Sequence, residues 1–259
     1  MPEGDAVLRA ATRLNQALAG ERLTKADIRV PRFATVRLTG AHVVETHTVG
    51  KHLLTRIARE DKKLTLHSHM RMDGRWVVGK AANRPCAGPD FQIRVWLVTE
   101  HSQAVGLRMA EVKVIPTADE NRLIGHLGLD VLSPDFRSEE GAQRILAQGD
   151  NQLVQVLLDQ RVICGLGTMW AAEMAYNMRV NPYTPVDSVS GLELGLDYVR
   201  GEMMAALTAS PGESRSRLMV FERNRQPCRE CGAGIRRGRI GTAPYQRVTY
   251  WCPSCQPVP

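Results

Sequence analysis

No run among the 259 residues approaches the roughly 18 apolar positions that a bilayer-spanning helix needs, and no signal-peptide pattern opens the chain. A soluble protein that stays in the cytoplasm is therefore expected. Internal repeats and low-complexity tracts are absent as well, so nothing points to a solenoid or a tandem array. Lysine is missing from the last part of the chain. From Arg215 onward there are nine arginines, no lysine and two acids, Glu222 and Glu230. That segment accounts for the whole net charge of +7, and residues 1–214 balance at 25 basic against 25 acidic groups. A neutral body with an arginine-rich end points to a polyanionic partner. The alternative, a solubilising tail, fits less well because these arginines are interleaved with cysteines and aromatic residues. Cysteine is scarce too: of six, four lie close together near the C-terminal end.

What is present divides the chain. A length of 259 residues and a hydrophobic content of 43% suit roughly two domains with real cores. Ala6 to Ala19 reads as an amphipathic helix, with Asp5 as its N-cap and Gly20 closing it. Arg22 to Val44 mixes short β-type runs with turn residues. Val49-Gly50-Lys51-His52-Leu53-Leu54 is a turn entering an apolar strand. Lys63 to Met70 alternates, with Leu64, Leu66, Ser68 and Met70 on one face and Thr65, His67 and His69 on the other. Asp73-Gly74 marks a tight turn before Trp76-Val77-Val78. Phe91, Ile93, Val95 and Leu97 share a face of the next strand, and Gln103 to Ile115 supplies another pair. Residues 1–116 thus read as one helix followed by an antiparallel β-sandwich.

Past Pro116 the period becomes helical. Helices are expected from Asn121, from Ser138 with Glu139 and Glu140 in its first turn, over Gln152 to Gln160, over Met169 to Met178 and over Leu192 to Ala209. Cys164-Gly165-Leu166-Gly167-Thr168 is a glycine turn feeding the fourth of these. Backbone N–H groups at such a helix start can cradle a phosphate; a plain αα-hairpin is the alternative. Ala209 to Ser214 reads as a connector.

Two constellations carry chemistry. Removal of Met1 would leave Pro2 as an N-terminal secondary amine, able to attack an aldehyde-like carbon and form an iminium. The positive end of the first helix would disfavour its protonated form, and Glu3 stands beside it as a proton carrier. An ordinary solvated N-terminus is the bland alternative. At the other end, Cys228-x2-Cys231 and Cys252-x2-Cys255 form a four-thiolate zinc pattern, with Arg236 to Arg239 and Tyr245 to Trp251 as a β-hairpin between the pairs. About 30 residues build no core alone, so one structural Zn2+ is expected there, with no open coordination position. Cys86 and Cys164 read as buried small apolar residues, and His67 and His69 as satisfied structural histidines.

These features, in this order, resemble the formamidopyrimidine-DNA glycosylase and endonuclease VIII family, end to end. Pro2-Glu3-Gly4 resembles the family's catalytic start and Gly50-Lys51-His52-Leu53-Leu54 its lysine-bearing strand. Leu127 to Phe136 resembles the entry to the helical domain, and Asp159 to Glu173 the helix–two-turn–helix. Val220-Phe221-Glu222-Arg223, Pro227-Cys228 and Arg247 to Gln256 resemble its zinc finger. The resemblance implies an α+β multidomain fold: an N-terminal helix and antiparallel β-sandwich over 1–116, a helix–two-turn–helix domain over 117–214 and a zinc finger over 215–259. It also implies a bifunctional glycosylase/AP lyase, a monomer acting on damaged DNA at the bacterial nucleoid, away from membranes, and cleaving the strand by β,δ-elimination. Pro2 would attack C1′, Glu3 would serve as general acid/base, and Lys51 would hold a phosphate beside the lesion; a solvated strand-end lysine is the alternative. Gly165, Gly167, Thr168 and Arg247 would bind phosphates. Arg71-Met72-Asp73 aligns with the family's void-filling loop, where Met72 is either the wedge or an ordinary core methionine.

The departures are specific. Asp5-Ala6 stands where the family usually has Pro-Glu, so a second acid near the nucleophile is missing or shifted to Asp5. Thr168 replaces the usual asparagine after the last turn glycine. Leu107 to Glu111 shows no Asp-Pro-Arg-Arg-Phe motif, which favours the endonuclease VIII branch and oxidised pyrimidines. The rival readings are a damaged-DNA-binding paralogue without catalysis and a zinc-ribbon nucleic-acid adaptor.

Overall fold

A computed structural model describes residues 2–209 and 218–258. Met1, most of the expected connector (Ser210 to Ser214) and Arg215 and Arg217 of the arginine-rich segment lie outside the described residues. The chain falls into two compact units, Met1–His126 and Leu127–Pro259.

In the first unit, helix α1 (Gly4–Leu18) presents Val7, Ala11, Leu14 and Leu18 along one stripe, each no more than 2% exposed. The helix begins earlier than its sequence suggests. Glu3 is the N-cap residue, without a side-chain cap hydrogen bond, and Asp5 lies inside the first turn. There, inside the turn and not at the N-cap position, its carboxylate pairs with Arg9 at 3.6 Å. Beyond the helix, Gly20 takes φ +81°.

Eight strands follow: β1 (Lys25–Ile28), β2 (His42–Val49), β3 (His52–Arg59), β4 (Lys62–His69), β5 (Arg75–Lys80), β6 (Ile93–Val98), β7 (Ser102–Leu107) and β8 (Glu111–Pro116). They form two antiparallel sheets, ordered β2-β3-β4-β8 and β1-β6-β7-β5. Leu53, Ile57 and Leu66 from one sheet, Val95, Leu97 and Ala104 from the other, and the α1 stripe share a single core. The strand after Phe91 departs from simple alternation. Phe91 is 76% exposed in a short 3-10 turn, and a bulge between Ile93 and Val95 reverses the faces. Ile93 therefore packs with Trp96 and Val98 in a second cluster, opposite Val95 and Leu97. Cys86, in the preceding loop, is exposed and not buried as expected, whereas Cys164 is buried.

Both faces of β4 are covered. Thr65 Oγ1 donates to Glu120 Oε1 at 2.5 Å, and Arg56 holds the same carboxylate through Nε at 3.0 Å and Nη2 at 2.7 Å. These bonds tie the segment after Pro116, including helix α2 (Asn121–Ile124), back onto the sandwich.

The second unit contains strand β9 (Leu129–Asp130), helices α3 (Ser138–Leu146) and α4 (Leu153–Leu158), strand β10 (Ile163–Cys164), helices α5 (Thr168–Asn177) and α6 (Leu192–Thr208), and the hairpin β11 (Arg236–Ile240) and β12 (Arg247–Trp251). β9 and β10 pair in parallel. Ala172 and Tyr176 of α5 share a core with Val220, Cys228, Ile235 and Cys252, so the hairpin region packs on the helices rather than standing alone. Gln256 is fully buried and fastens this packing: its Nε2 donates to Val180 O at 2.8 Å, and its Oε1 accepts from Cys252 N at 2.9 Å.

Candidate active site and nucleic-acid interface

Pro2 stands one residue ahead of the helix, next to its N-cap Glu3, and is half-buried. The Glu3 carbonyl accepts the Val7 N–H at 3.1 Å and so starts the helical ladder, while the Glu3 side chain is buried, only 3% of the residue being exposed. Asp5 is 5% exposed. Acids are favoured at this positive end of the helix macrodipole. Carboxylates this deeply buried are uncommon unless partnered or functional.

Lys51 is 9% exposed, so it is not a solvated strand-end lysine. Val49 pairs with His52, which leaves Gly50-Lys51 as a two-residue turn between β2 and β3. Gly50 takes φ +56°, as the first position of a type II′ turn requires. The glycine thereby fixes where the lysine begins its reach.

After β4, the chain turns through Arg71, Met72 and Asp73. Met72 is 63% exposed, which removes the core-methionine alternative. Arg71 takes φ +47° and its Nη2 lies 3.9 Å from Glu111 Oε2. Gly74 N–H donates to Met70 O at 2.9 Å and closes the loop. The histidines beneath are not simply satisfied: His67 is fully buried and bonds His52, but its Nδ1 has no partner.

In the second unit the glycine turn enters α5 as expected, with Gly167 as N-cap and Thr168 as first residue. Gly165 takes φ +101°, and its N–H donates to Gln160 Oε1 at 3.1 Å. Gln160 Nε2 returns a bond to Leu166 O at 2.9 Å. The Gly165 amide therefore braces the turn and is not free for a phosphate. Arg247 opens β12, opposite Ile240, with an exposed side chain.

The ligand atoms of Cys228, Cys231, Cys252 and Cys255 all lie within 4.8 Å of one another, and the Cys228–Cys255 and Cys231–Cys252 sulfurs are 3.9 and 3.4 Å apart. A tetrahedron with bonds of about 2.3 Å has edges of about 3.8 Å, so this donor set fits one tetrahedral thiophilic ion. All four are free of disulfides. The four cysteines can thus hold a metal ion.

Sequence reasoning missed Glu173. It is 4% exposed in α5, and its two oxygens accept the N–H groups of Met219 at 2.8 Å, Val220 at 2.9 Å and Phe221 at 2.8 Å. Burial pushes this carboxyl up, against the opposing pull of the three amides. The available signal was a lone acid within Met169-Trp170-Ala171-Ala172-Glu173-Met174-Ala175-Tyr176, where any buried carboxylate needs donors.

Comparison with known proteins adds the following. Residues 1–115 match the model of the formamidopyrimidine-DNA glycosylase N-terminal domain. The chain is 41% identical to a probable endonuclease 8 2 of Streptomyces coelicolor, across 100% of this chain and 95% of that protein. It is 36% identical to the DNA-(apurinic or apyrimidinic site) lyase Nei2 of Mycolicibacterium smegmatis, across 99% of both chains. Among solved structures, the Lactococcus lactis formamidopyrimidine-DNA glycosylase bound non-covalently to DNA containing an AP site is similar in fold. Its TM-score is 0.82 at 21% identity, covering 99% of this chain and 100% of that one.

Proposed function

Because the chain belongs to the formamidopyrimidine-DNA glycosylase and endonuclease VIII family, on the endonuclease VIII side, and is a DNA glycosylase/AP lyase, we propose that it excises oxidised pyrimidines and cleaves the strand through a Schiff base on Pro2. The observation that carries this assignment is the burial of Glu3, Asp5 and Lys51 in the first unit, at 3%, 5% and 9% exposure. Charged groups are seldom buried this deeply, and finding three of them in the segments that resemble the family's catalytic start and lysine turn makes these residues the candidates for its chemistry.

Pro2, once N-terminal, attacks C1′ of a nucleotide turned out of the stack. Glu3 delivers the proton needed as the base departs and the sugar ring opens, and takes part in the β,δ-elimination that follows. Lys51 holds a phosphate beside the lesion. Met72 enters the vacated space, and Arg71 lies beside it. In the second unit, Gly167, Thr168 and Arg247 bind the backbone. Gly165 contributes by shaping the turn. Zinc is the ion we assign to the four cysteines; it supplies folding energy to the finger and takes no part in the chemistry. The protein acts as a monomer on DNA in the bacterial cytoplasm.

The test is single-turnover cleavage of matched duplexes by Glu3→Gln, one with an oxidised pyrimidine and one with an abasic site. The amide keeps the shape but carries no proton. Base excision should fall by about 10²–10⁴-fold, and abasic-site cleavage far less, because a fraction of that sugar is already an open aldehyde. Equal losses on both substrates would reassign the base-departure acid.

A further inference from the structure

Three histidines of the first unit stand outside this chemistry and between two of its parts. His52 follows Lys51 and opens β3; His67 and His69 lie on β4, and His69 leads through Met70 into the Arg71–Asp73 loop. The β3–β4 register, Leu53 with Ser68 and Leu54 with His67, sets His52 beside both. The His52 and His67 rings stack with centroids 5.1 Å apart, and His69 meets His52 edge-on at 4.9 Å. His52 Nδ1 and His67 Nε2 share a hydrogen bond of 2.9 Å. Arg71 N–H donates to His69 Nδ1 at 3.0 Å, at the residue where the backbone enters the left-handed region with φ +47°. Side-chain-bearing residues seldom adopt that conformation without local support.

We infer that His52, His67 and His69 are positioning residues, a stacked imidazole joint that holds the Lys51 turn and the Arg71–Met72 loop in one register. The inference rests on the roles proposed above for Lys51 and Met72. Packing alone does not account for the cluster. An aliphatic side chain would fill the same space without burying an unpartnered Nδ1 on His67.

The joint requires neutral rings. The Arg71 N–H makes His69 Nδ1 an acceptor, which puts the ring proton on Nε2. Protonation would set N–H against N–H and release the loop. Burial holds His52 down to about 3 and His67 down to about 4, and holds His69 below its ordinary value of 6.5. Glu111 opposes this at all three rings. Arg71 and Lys51 reinforce it at His69, Lys113 and His69 at His67, and His67, His69 and His126 at His52.

His69→Ala removes the acceptor, whereas His69→Asn puts an amide oxygen where Nδ1 stood. The measurements are excision of an oxidised pyrimidine from duplex DNA, and borohydride trapping on a single-stranded abasic oligonucleotide, which has no stack to open. His69→Ala should slow duplex excision about tenfold or more and change trapping less than about threefold, since misplacing a positioning group penalises the step that needs it. His69→Asn should recover most of the duplex rate. The wild-type duplex rate should fall at acid pH below the ordinary histidine range, and His69→Asn should shift that limb to lower pH because an amide does not titrate, leaving only the part owed to His52 and His67. Equal losses on both substrates without rescue by asparagine, or an acid limb unchanged in His69→Asn, would overturn the joint. Wild-type protein that forms no trapped adduct would overturn the Pro2 assignment instead.

Discussion

Glu173→Gln is the perturbation with the most legible cost. The carboxyl gathers the N–H groups of three consecutive residues, Met219, Val220 and Phe221, which lead into the cysteine-bearing finger. Gln can keep the two bonds that Oε1 accepts from Val220 and Phe221, at 2.9 and 2.8 Å. Its NH2 then faces the Met219 N–H, a donor against a donor in a site only 4% exposed. A hydrogen bond to a charged group is worth about 1.5–3 kcal/mol, and an orphaned buried donor costs about 1–3 kcal/mol. The substitution should therefore destabilise the second unit by about 2–4 kcal/mol, a fall in its unfolding midpoint of roughly 10 °C. Glu173→Met, which offers no acceptor to any of the three, should be worse. Hydrogen exchange of the Met219, Val220 and Phe221 amides reads the effect locally, and the rate of metal release to a chelator reads it at the finger. Amide protection and metal release both unchanged in Glu173→Gln would refute the claim that this carboxyl anchors the finger to α5.

Activity should require a mature N-terminus at Pro2, because a retained Met1 converts the amine into an amide nitrogen that cannot form an iminium. Intact mass of active protein decides this, and full activity in wholly Met1-bearing protein would remove Pro2 as nucleophile. Cys252→Ser should release the ion, unfold the finger and lower both DNA affinity and its salt dependence, while the β-sandwich stays folded; unchanged binding after verified metal loss would exclude the finger as the electrostatic contact. Acidification should destabilise the first unit. Burial holds His67 down to about 4 when folded against 6.5 when unfolded, so the unfolded chain takes up the proton first and stability falls as pH drops from 6.5 towards 4, by about 3 kcal/mol from this ring alone. Denaturation midpoints at pH 7 and 4.5 measure this, and His67→Gln should reduce the difference, the part owed to His52 remaining.

The features legible in the sequence are local ones. The α1 stripe, the Gly50-Lys51 turn, the glycine turn before α5 and the paired Cys-x2-Cys turns each span a few residues, and each residue type has one dominant physical reason to be there. Contacts between distant parts of the chain were not legible. Glu173 finds its donors nearly fifty positions downstream, beyond any periodicity. The bulge at Ile93–Val95 leaves the composition unchanged yet moves Ile93 to the opposite face from Val95, and Phe91 falls in the 3-10 turn before the strand, so neither has the neighbours that alternation predicts. His67 and His69 looked alike on one strand face. Only the β3–β4 register, which brings up His52, separates a ring with an unpartnered nitrogen from one that anchors a loop.

The two departures around the site differ in physical consequence. Asp5 is buried in the first turn of α1 and paired with Arg9, so an acid is kept in this turn one position earlier than the family's usual glutamate. Thr168 exchanges an amide for a shorter hydroxyl, and Gln160 already occupies the Gly165 amide. The turn itself thus offers fewer donors to a phosphate than its glycines suggest. The hairpin makes up the shortfall differently. Arg236, Arg237, Arg239 and Arg247 are all exposed on β11 and β12. Each guanidinium can fork onto two phosphate oxygens, which a lysine at the same place could not. The phosphate binding proposed for this unit should then be weighted towards the finger. It should fall more steeply with salt after Thr168→Asn with the arginines intact than after Arg247→Ala, because each lost arginine lowers the salt slope by about one and a neutral amide leaves it unchanged.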